Sequence, residues 1–538
     1  MSAQWKGASA RMPNLARLQR QASSAFEQGH LDKAERLCQA ILDYRADDFD
    51  ALHLTGLIRL RRGRPLEALA FLDRAVKADP RSVDAMSNLG LALQGAGRFA
   101  DAVARYRDAL VLAPRHPEIL YNLGNAYLAF DRIDEALESY DRVLAQNPSH
   151  VGAHVNRGNT LLRFNRPQEA LASYDAALAI VPGHPQILTN RGHALRRLDR
   201  PQEALIDLES ALTSAPEFPE AHFETALARL TLGDFNDGWK AYEWRWKTGA
   251  FANQRRSFRQ PLWRGDAPIS GKTILLHAEQ GFGDTIQFIR YARLVADRGA
   301  RVICEVQPEL APLLSQIEGV EIIARGQALL PAFDMHCPLL SLPLAFGTDD
   351  ATIPAKIPYL TAEATRVAQW RERLGPRVPR AGFVWSGSAT HKNDANRSVA
   401  LARLAPFFES LPLACFGLQR DMGDADREMV ARVPKLINLG AELSDFNDTA
   451  AVISLLDVVV SVDTAVAHLA GAMGKPVVIL LPHAADFRWL RDRTETPWYP
   501  TARLLRQPSF GDWDSVLGRL AAELQIHVGA EGSQLGLR

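Results

Sequence analysis

Through the first 252 residues, small and apolar side chains return every 34 positions. Alanine stands at Ala34, Ala68, Ala102, Ala136, Ala170 and Ala204, and glycine at Gly56, Gly90, Gly124, Gly158 and Gly192. Aromatic residues join the register at Tyr106, Tyr140 and Tyr174, with a further one at Tyr242, and proline closes successive units at Pro80, Pro114, Pro148, Pro182 and Pro216. A fixed period of this length marks a solenoid, in which one unit cannot bury its apolar face and stacking of neighbours completes the core. Each unit reads as two helices. Gly and Ala let the helices cross closely, an aromatic or leucine fills the groove beside them, and proline stops the second helix. About seven units are predicted: 15–48, 49–82, 83–116, 117–150, 151–184, 185–218 and 219–252. The first lacks the glycine and closing proline, and the last carries Ala226 and Gly238 where the others have Gly and Ala, so both read as caps.

After Gly249 the periodicity changes. A connector rich in aromatic and basic residues spans 253–267, and apolar runs of strand length then alternate with amphipathic helical segments. TILLHAEQ, RVICEVQ and VEIIARG form one strand series, over 268–360. AGFVWSG, LACFGLQ, VVVSVD and PVVILLP form another, over 361–525. Near-continuous apolar strands separated by helices predict parallel sheets covered on both faces. The expected fold is therefore an all-α superhelical solenoid followed by two α/β, Rossmann-like halves, with a flexible tail at 526–538.

In such sheets ligands bind beyond the carboxyl ends of strands, which directs attention to three turns. The first, HAEQGFGDTIQF, offers Gly281 and Gly283 for a tight turn and close backbone approach, and Asp284 at a helix start. It lacks the third small residue of a dinucleotide fingerprint and the lysine of a P-loop. The second, VWSGSATHKNDANRS, places Ser386, Gly387, Lys392 and Arg397 after a strand, a composition suited to a diphosphate. The third begins at Asp463 and continues through Thr464 at a helix start to His468 one turn later. Each has a structural alternative: a first-turn acid, a solvated loop, a satisfied core histidine.

A fourth feature lies in the repeats. Asn88, Asn122, Asn156 and Asn190 share one register. At about 100° per residue they point roughly 150° from the core-facing positions, so they are expected to form an exposed row. Asparagine is a poor helix former, and its amide matches a peptide unit in donor and acceptor. The row reads as a ladder that holds an extended polypeptide, with hydrogen bonding between repeats as the structural alternative.

Composition narrows the classes. With 47% hydrophobic and 23% charged residues, extensive disorder is excluded. Lys plus Arg and Asp plus Glu both total 62, which gives no basic footprint for nucleic acid or a membrane surface. No apolar run reaches the ~18 residues of a spanning helix, and the first twenty residues lack a secretory signal's apolar centre. Cys38, Cys304, Cys337 and Cys415 are scattered in apolar runs without zinc spacing, as expected of free thiols in a reduced, cytoplasmic setting.

These motifs carry a resemblance. The 34-residue unit resembles the tetratricopeptide repeat. The segment D-T-x-x-x-H-L-A-x-A-x-G-x-P-V from Asp463, with GFGDTIQF, resembles the heptosyltransferases of glycosyltransferase family 9. The whole layout is similar to the O-linked N-acetylglucosamine transferases, whose repeats carry a similar asparagine ladder, and to bacterial repeat-fused transferases, some of which modify flagellin. The resemblance implies a GT-B fold, inversion at the transferred sugar, a nucleotide-sugar substrate and no metal or other cofactor. It further implies Asp284 as general base, Arg397 near a phosphate contact, Asp463 on the donor sugar or ribose, and Gln419 where a base- or ribose-contacting residue stands. Two other readings stay open: a repeat scaffold with an inactive transferase-like domain, and a transferase acting on lipid or oligosaccharide.

Overall fold

A computed structural model describes residues 14–326, 329–388 and 393–532, with side chains of the last helix described as far as residue 524. Two units emerge, Met1–Pro182 and Gly183–Arg538.

The first unit is helical. Its described residues form ten helices, from Leu15–Glu27 to Pro167–Ile180, in which a 13-residue helix is followed by one of 14. The starts are set by local chemistry. Asp48 and Ser82 each accept a hydrogen bond from the amide three residues on. Gly29, Gly63, Gly97, Asp131 and Asn165, each 34 after the last, turn the chain between paired helices with φ between 54° and 78°. Only glycine, and at some cost Asp or Asn, adopts that left-handed conformation readily. The repeat glycines have a steric purpose. A Cβ on Gly90, Gly124 or Gly158 would lie 2.5–2.6 Å from the ring of Tyr106, Tyr140 or Tyr174 on the following helix.

The second unit opens with four more helices, Pro185–Arg197, Pro201–Ser214, Pro219–Thr231 and Phe235–Tyr242, and a short turn of helix at Glu243–Lys247. Two parallel sheets follow. The first contains β1 (Thr273–His277), β2 (Arg301–Val306), β3 (Val320–Ala324) and β4 (Met335–Pro338), in the order β3-β2-β1-β4. The second contains β5 (Arg380–Val384), β6 (Ala414–Gly417), β7 (Leu436–Asn438), β8 (Val458–Val462), β9 (Val477–Leu481) and β10 (Ala502–Arg506), in the order β10-β9-β8-β5-β6-β7. The seven expected strands are present. β4, β7 and β10 are additional: β4, MHCP, holds a histidine and ends in proline, β7 is only 3 residues long, and β10, ARLLR at the sheet edge, carries two arginines.

One hydrophobic core runs from Leu230, Trp239 and Tyr242 through Ile274 and Leu276 to Leu469, Trp489 and Trp498. The expected division at 252 therefore falls inside the second unit, because the last helical pair buries its aromatic face against the sheets. The expected flexible tail differs as well. Helix Trp513–Gly532 continues through its first seven residues, and 533–538 lie outside the described residues. All four cysteines are free and buried. Among the described residues no helix is long and apolar enough to cross a membrane.

Candidate active site

The loops that leave β1, β5, β8 and β9 carry the site. After β1, the chain enters helix Phe282–Phe288, and Asp284 Oδ2 accepts from the Gly281 amide at 3.0 Å. That is the expected first-turn acid. The other oxygen, Oδ1, meets the Arg488 guanidinium at 2.7 Å. Gln307 pins the loop, donating to the Gln280 carbonyl at 2.8 Å and accepting from the Thr285 hydroxyl at 2.9 Å. Neither Gly281 nor Gly283 has a positive φ. Gly283 instead admits close packing: a Cβ there would sit 2.8 Å from Cδ2 of His468.

In the loop after β5, Gln419 Oε1 accepts from the Trp385 and Ser386 amides at 3.3 and 3.1 Å, and its nitrogen donates to the Asp421 carbonyl at 2.9 Å. Gln419 is 5% exposed, and its side chain holds the loop. Gly387 donates to Ser398 Oγ at 3.0 Å, and a side chain there would collide with Arg397 and Asp394. Arg397 bridges two loops, donating to the Asp463 carbonyl at 2.9 Å and to Asp394 at 3.2 Å. Lys392 lies outside the described residues.

After β8, Thr464 caps helix Ala465–Ala472, and its hydroxyl pairs with Ser461 Oγ at 2.9 Å. His468 is buried, which departs from a ligand-facing role. Its Nδ1 meets the Tyr499 hydroxyl at 2.9 Å, its ring stacks on Trp489 with centroids 5.3 Å apart, and Nε2 lies 3.7 Å from Asp463 Oδ1. Burial, reinforced by Arg488, Arg290 and Arg397, pushes its pKa well below the ordinary value, so the ring is neutral. Burial also raises the Asp463 pKa, as does the carboxylate of Asp486, while Arg488 and Arg397 oppose them.

Arg488 was not foreseen. It follows β9, the strand expected from PVVILLP, where the carboxyl-end rule applies as to the others, but the loop HAADFRWLRDR holds no glycine or recognisable motif to mark it. Its guanidinium binds Asp284 at 2.7 Å and Asp486 at 3.0 Å. Burial opposes its charge, but Asp486, Asp284 and Asp463 together raise its pKa. Through this one cation, the acid in the loop after β1 and the acid just after β8 share a common electrostatic centre. Among the described residues no group of three or more His, Cys, Asp or Glu could hold a metal ion.

The asparagine row differs from expectation. All four residues are half-buried. Asn88 Nδ2 meets His53 Nε2 of the preceding repeat at 2.8 Å, and Asn156 Nδ2 donates to the Tyr121 hydroxyl and Asn125 Oδ1, both at 2.8 Å. Asn190 Oδ1 accepts from Gln186 at 2.9 Å. The row is partly spent on bonds between repeats because the stacked helices bring a polar partner 31–35 residues away within reach.

Comparison with known families is consistent with this geometry. The tetratricopeptide repeat model matches 20–83, 87–142, 121–185 and 189–243, and the model of glycosyltransferase family 9 (heptosyltransferase) matches 416–489. The chain carries tetratricopeptide repeats and, in its C-terminal part, a segment that matches the glycosyltransferase family 9 model. That segment includes Asp463, Thr464, His468, Asp486 and Arg488, and begins beyond Asp284. Protein FlbA of Caulobacter vibrioides is 27% identical over 335 residues, covering 56% of this chain and 54% of FlbA, so the chain spans about half the length of that curated relative. Among solved structures, a tetratricopeptide repeat protein from Parabacteroides merdae is 18% identical with a TM-score of 0.37, covering 43% of this chain and 91% of its own. The repeat protein TTC0263 of Thermus thermophilus is 23% identical with a TM-score of 0.29, covering 34% and 100%.

Proposed function

We propose that this chain is an inverting glycosyltransferase of GT-B type that moves a sugar from a nucleotide donor to a Ser or Thr hydroxyl of a polypeptide held by the repeats. The observation that carries the reading is Arg488, which binds Asp284 and lies in the field of Asp463 within the family 9 segment. In a single displacement, the acceptor oxygen attacks the anomeric carbon, the bond to the diphosphate breaks with its electron pair, and Asp284 takes the hydroxyl proton. Arg397 and the amides at the start of helix Ala465–Ala472 supply positive potential for the departing diphosphate. Arg488 neutralises the carboxylates. A donor phosphate competes for that guanidinium and frees Asp284 Oδ1 to face the acceptor. The half-buried asparagines and their tyrosine and histidine partners offer the polar lining for an extended chain.

The test is transfer from a panel of nucleotide sugars to proteins of a bacterial lysate, read by intact-mass spectrometry. Asp284→Asn is expected to abolish transfer while nucleoside diphosphate binding stays within a few fold. Wild-type turnover by that variant removes Asp284 from the chemistry. A flat result for the wild-type protein, with no thermal shift from any nucleotide, favours a scaffold.

A further inference from the structure

Three side chains of the last repeat take no part in the scheme above, yet each grips a loop of the site. Arg245, in the turn Glu243–Lys247, is fully buried. It donates to both carboxylate oxygens of Glu279, at 3.0 and 3.1 Å, to Glu243 at 2.7 Å and to Ser341 at 2.8 Å. Glu279 precedes by two residues the glycine whose amide holds Asp284. Tyr242 accepts at its hydroxyl from Gln280 at 3.1 Å, so consecutive residues of the Asp284 loop are held from the same repeat. Tyr242 and Trp239 also pack on Phe487, with ring centroids 6.0 and 5.7 Å apart, and Phe487 immediately precedes Arg488.

The preceding repeat adds a strap. Arg491 reaches Asp199 at 3.0 Å and Gln202 at 3.2 Å. Between Arg488 and Arg491 lies Leu490 at φ 51° and ψ −166°, a conformation a leucine keeps only when its surroundings impose it. Arg506 grips its carbonyl at 2.5 Å. The loop bearing Arg488 is thus bent into place and clamped from two repeats.

We infer that Tyr242 and Arg245 are positioning residues of the transfer site: the terminal repeat sets the Asp284 loop against the Arg488 loop and belongs to the catalytic apparatus. The inference rests on the transferase reading of Asp284. Two buried aromatic contacts and a bidentate ion pair converge on the residues flanking Asp284 and Arg488, whereas a repeat serving only to carry a partner needs no grip there.

The test uses the full chain with Tyr242→Phe, which keeps the ring contacts and removes the hydroxyl, and Arg491→Gln as a second variant. Amide exchange is followed by mass spectrometry, and transfer is measured with nucleotide sugars at varied donor concentration. Losing one hydrogen bond is expected to speed exchange across 279–288 about three- to tenfold in Tyr242→Phe. Arg491→Gln does the same across 486–492, and exchange across 401–410 stays unchanged in both. Turnover per folded molecule, with the folded fraction fixed by circular dichroism, falls about tenfold or more while the donor KM stays within about twofold, a split that loss of folded protein does not produce once the folded fraction is accounted for. Unchanged local exchange with intact turnover overturns the positioning role and leaves the transferase standing. Absence of turnover by the wild-type protein overturns the transferase reading, and this inference with it.

Discussion

Arg488 is the residue whose removal tests the site most directly. Arg488→Met keeps much of the aliphatic stem and deletes the cation that binds Asp284 at 2.7 Å and Asp486 at 3.0 Å. Carboxylates gathered on one guanidinium lie on the order of 5 Å apart, so at an effective dielectric of about 20 their repulsion is about 3 kcal/mol, or roughly 2.4 pKa units. Breaking a buried charge cluster by removing one partner costs about 3–5 kcal/mol in measured cases, which agrees. With the cation gone, that repulsion disfavours having every carboxylate ionised at once, so one of them should hold a proton more readily than in the unfolded chain. A raised folded-state pKa gives stability that is present below the unfolded value and lost as pH rises through the folded one. The difference between wild type and variant is thus about 3–4 kcal/mol where the carboxylates are ionised, at pH 8, and smaller at pH 5. Urea unfolding at both pH values, followed by tryptophan emission, measures it; nine of the ten tryptophans lie between Trp239 and Trp513, in the second unit. Arg488→Lys, which keeps the charge, should remove most of the pH-dependent excess. A loss that is the same at both pH values refutes the argument.

Other outcomes follow from the same reasoning. His277, 3% exposed, has its pKa pushed down to about 3, chiefly by burial and then by His336 and nearby arginines. A depressed histidine contributes stability above about 6.5 and loses it on acidification, so His277 costs about 2 kcal/mol by pH 5. Urea midpoints of His277→Gln and the parent across that range check this: the variant should lose less stability on acidification. Gly124→Ala places a Cβ 2.6 Å from the Tyr140 ring, whereas Gly192→Ala meets Leu208 at 3.0 Å, where a flexible side chain can yield. The first should cost about 1–3 kcal/mol, and the second should be close to neutral because alanine regains about 1 kcal/mol of helix propensity. Circular dichroism melts should rank them in that order, with Tyr140→Leu rescuing Gly124→Ala. Asp284→Asn should retain nucleoside diphosphate binding by calorimetry while transfer vanishes.

The repeats were legible because their cause is local and periodic. A 34-residue recurrence of Gly, Ala and an aromatic dictates helix crossing, stacking and core without reference to anything distant, and even the left-handed turn positions keep that period. Seven strands were legible as apolar runs with turn signals; β7 was too short, and β4 and β10 too polar, to stand out. The loops after β1, β5 and β8 were found because a topological rule points to strand ends whatever the side chains are. What the side chains do in those loops depended on partners far away in the chain. Asp284 meets Arg488 across 204 residues, and Glu279 meets Arg245 across 34 residues. Gln419 turns inward to two backbone amides, and His468 is buried by Tyr499 and Trp489. A charge's partner and a polar group's exposure are set by three-dimensional proximity, which no linear period encodes, whereas helix and strand patterns arise from neighbours a few residues apart. The sequence therefore determined the elements and the strand ends where chemistry collects, and the tertiary structure decided which side chains meet there and that the last repeat reaches into the site.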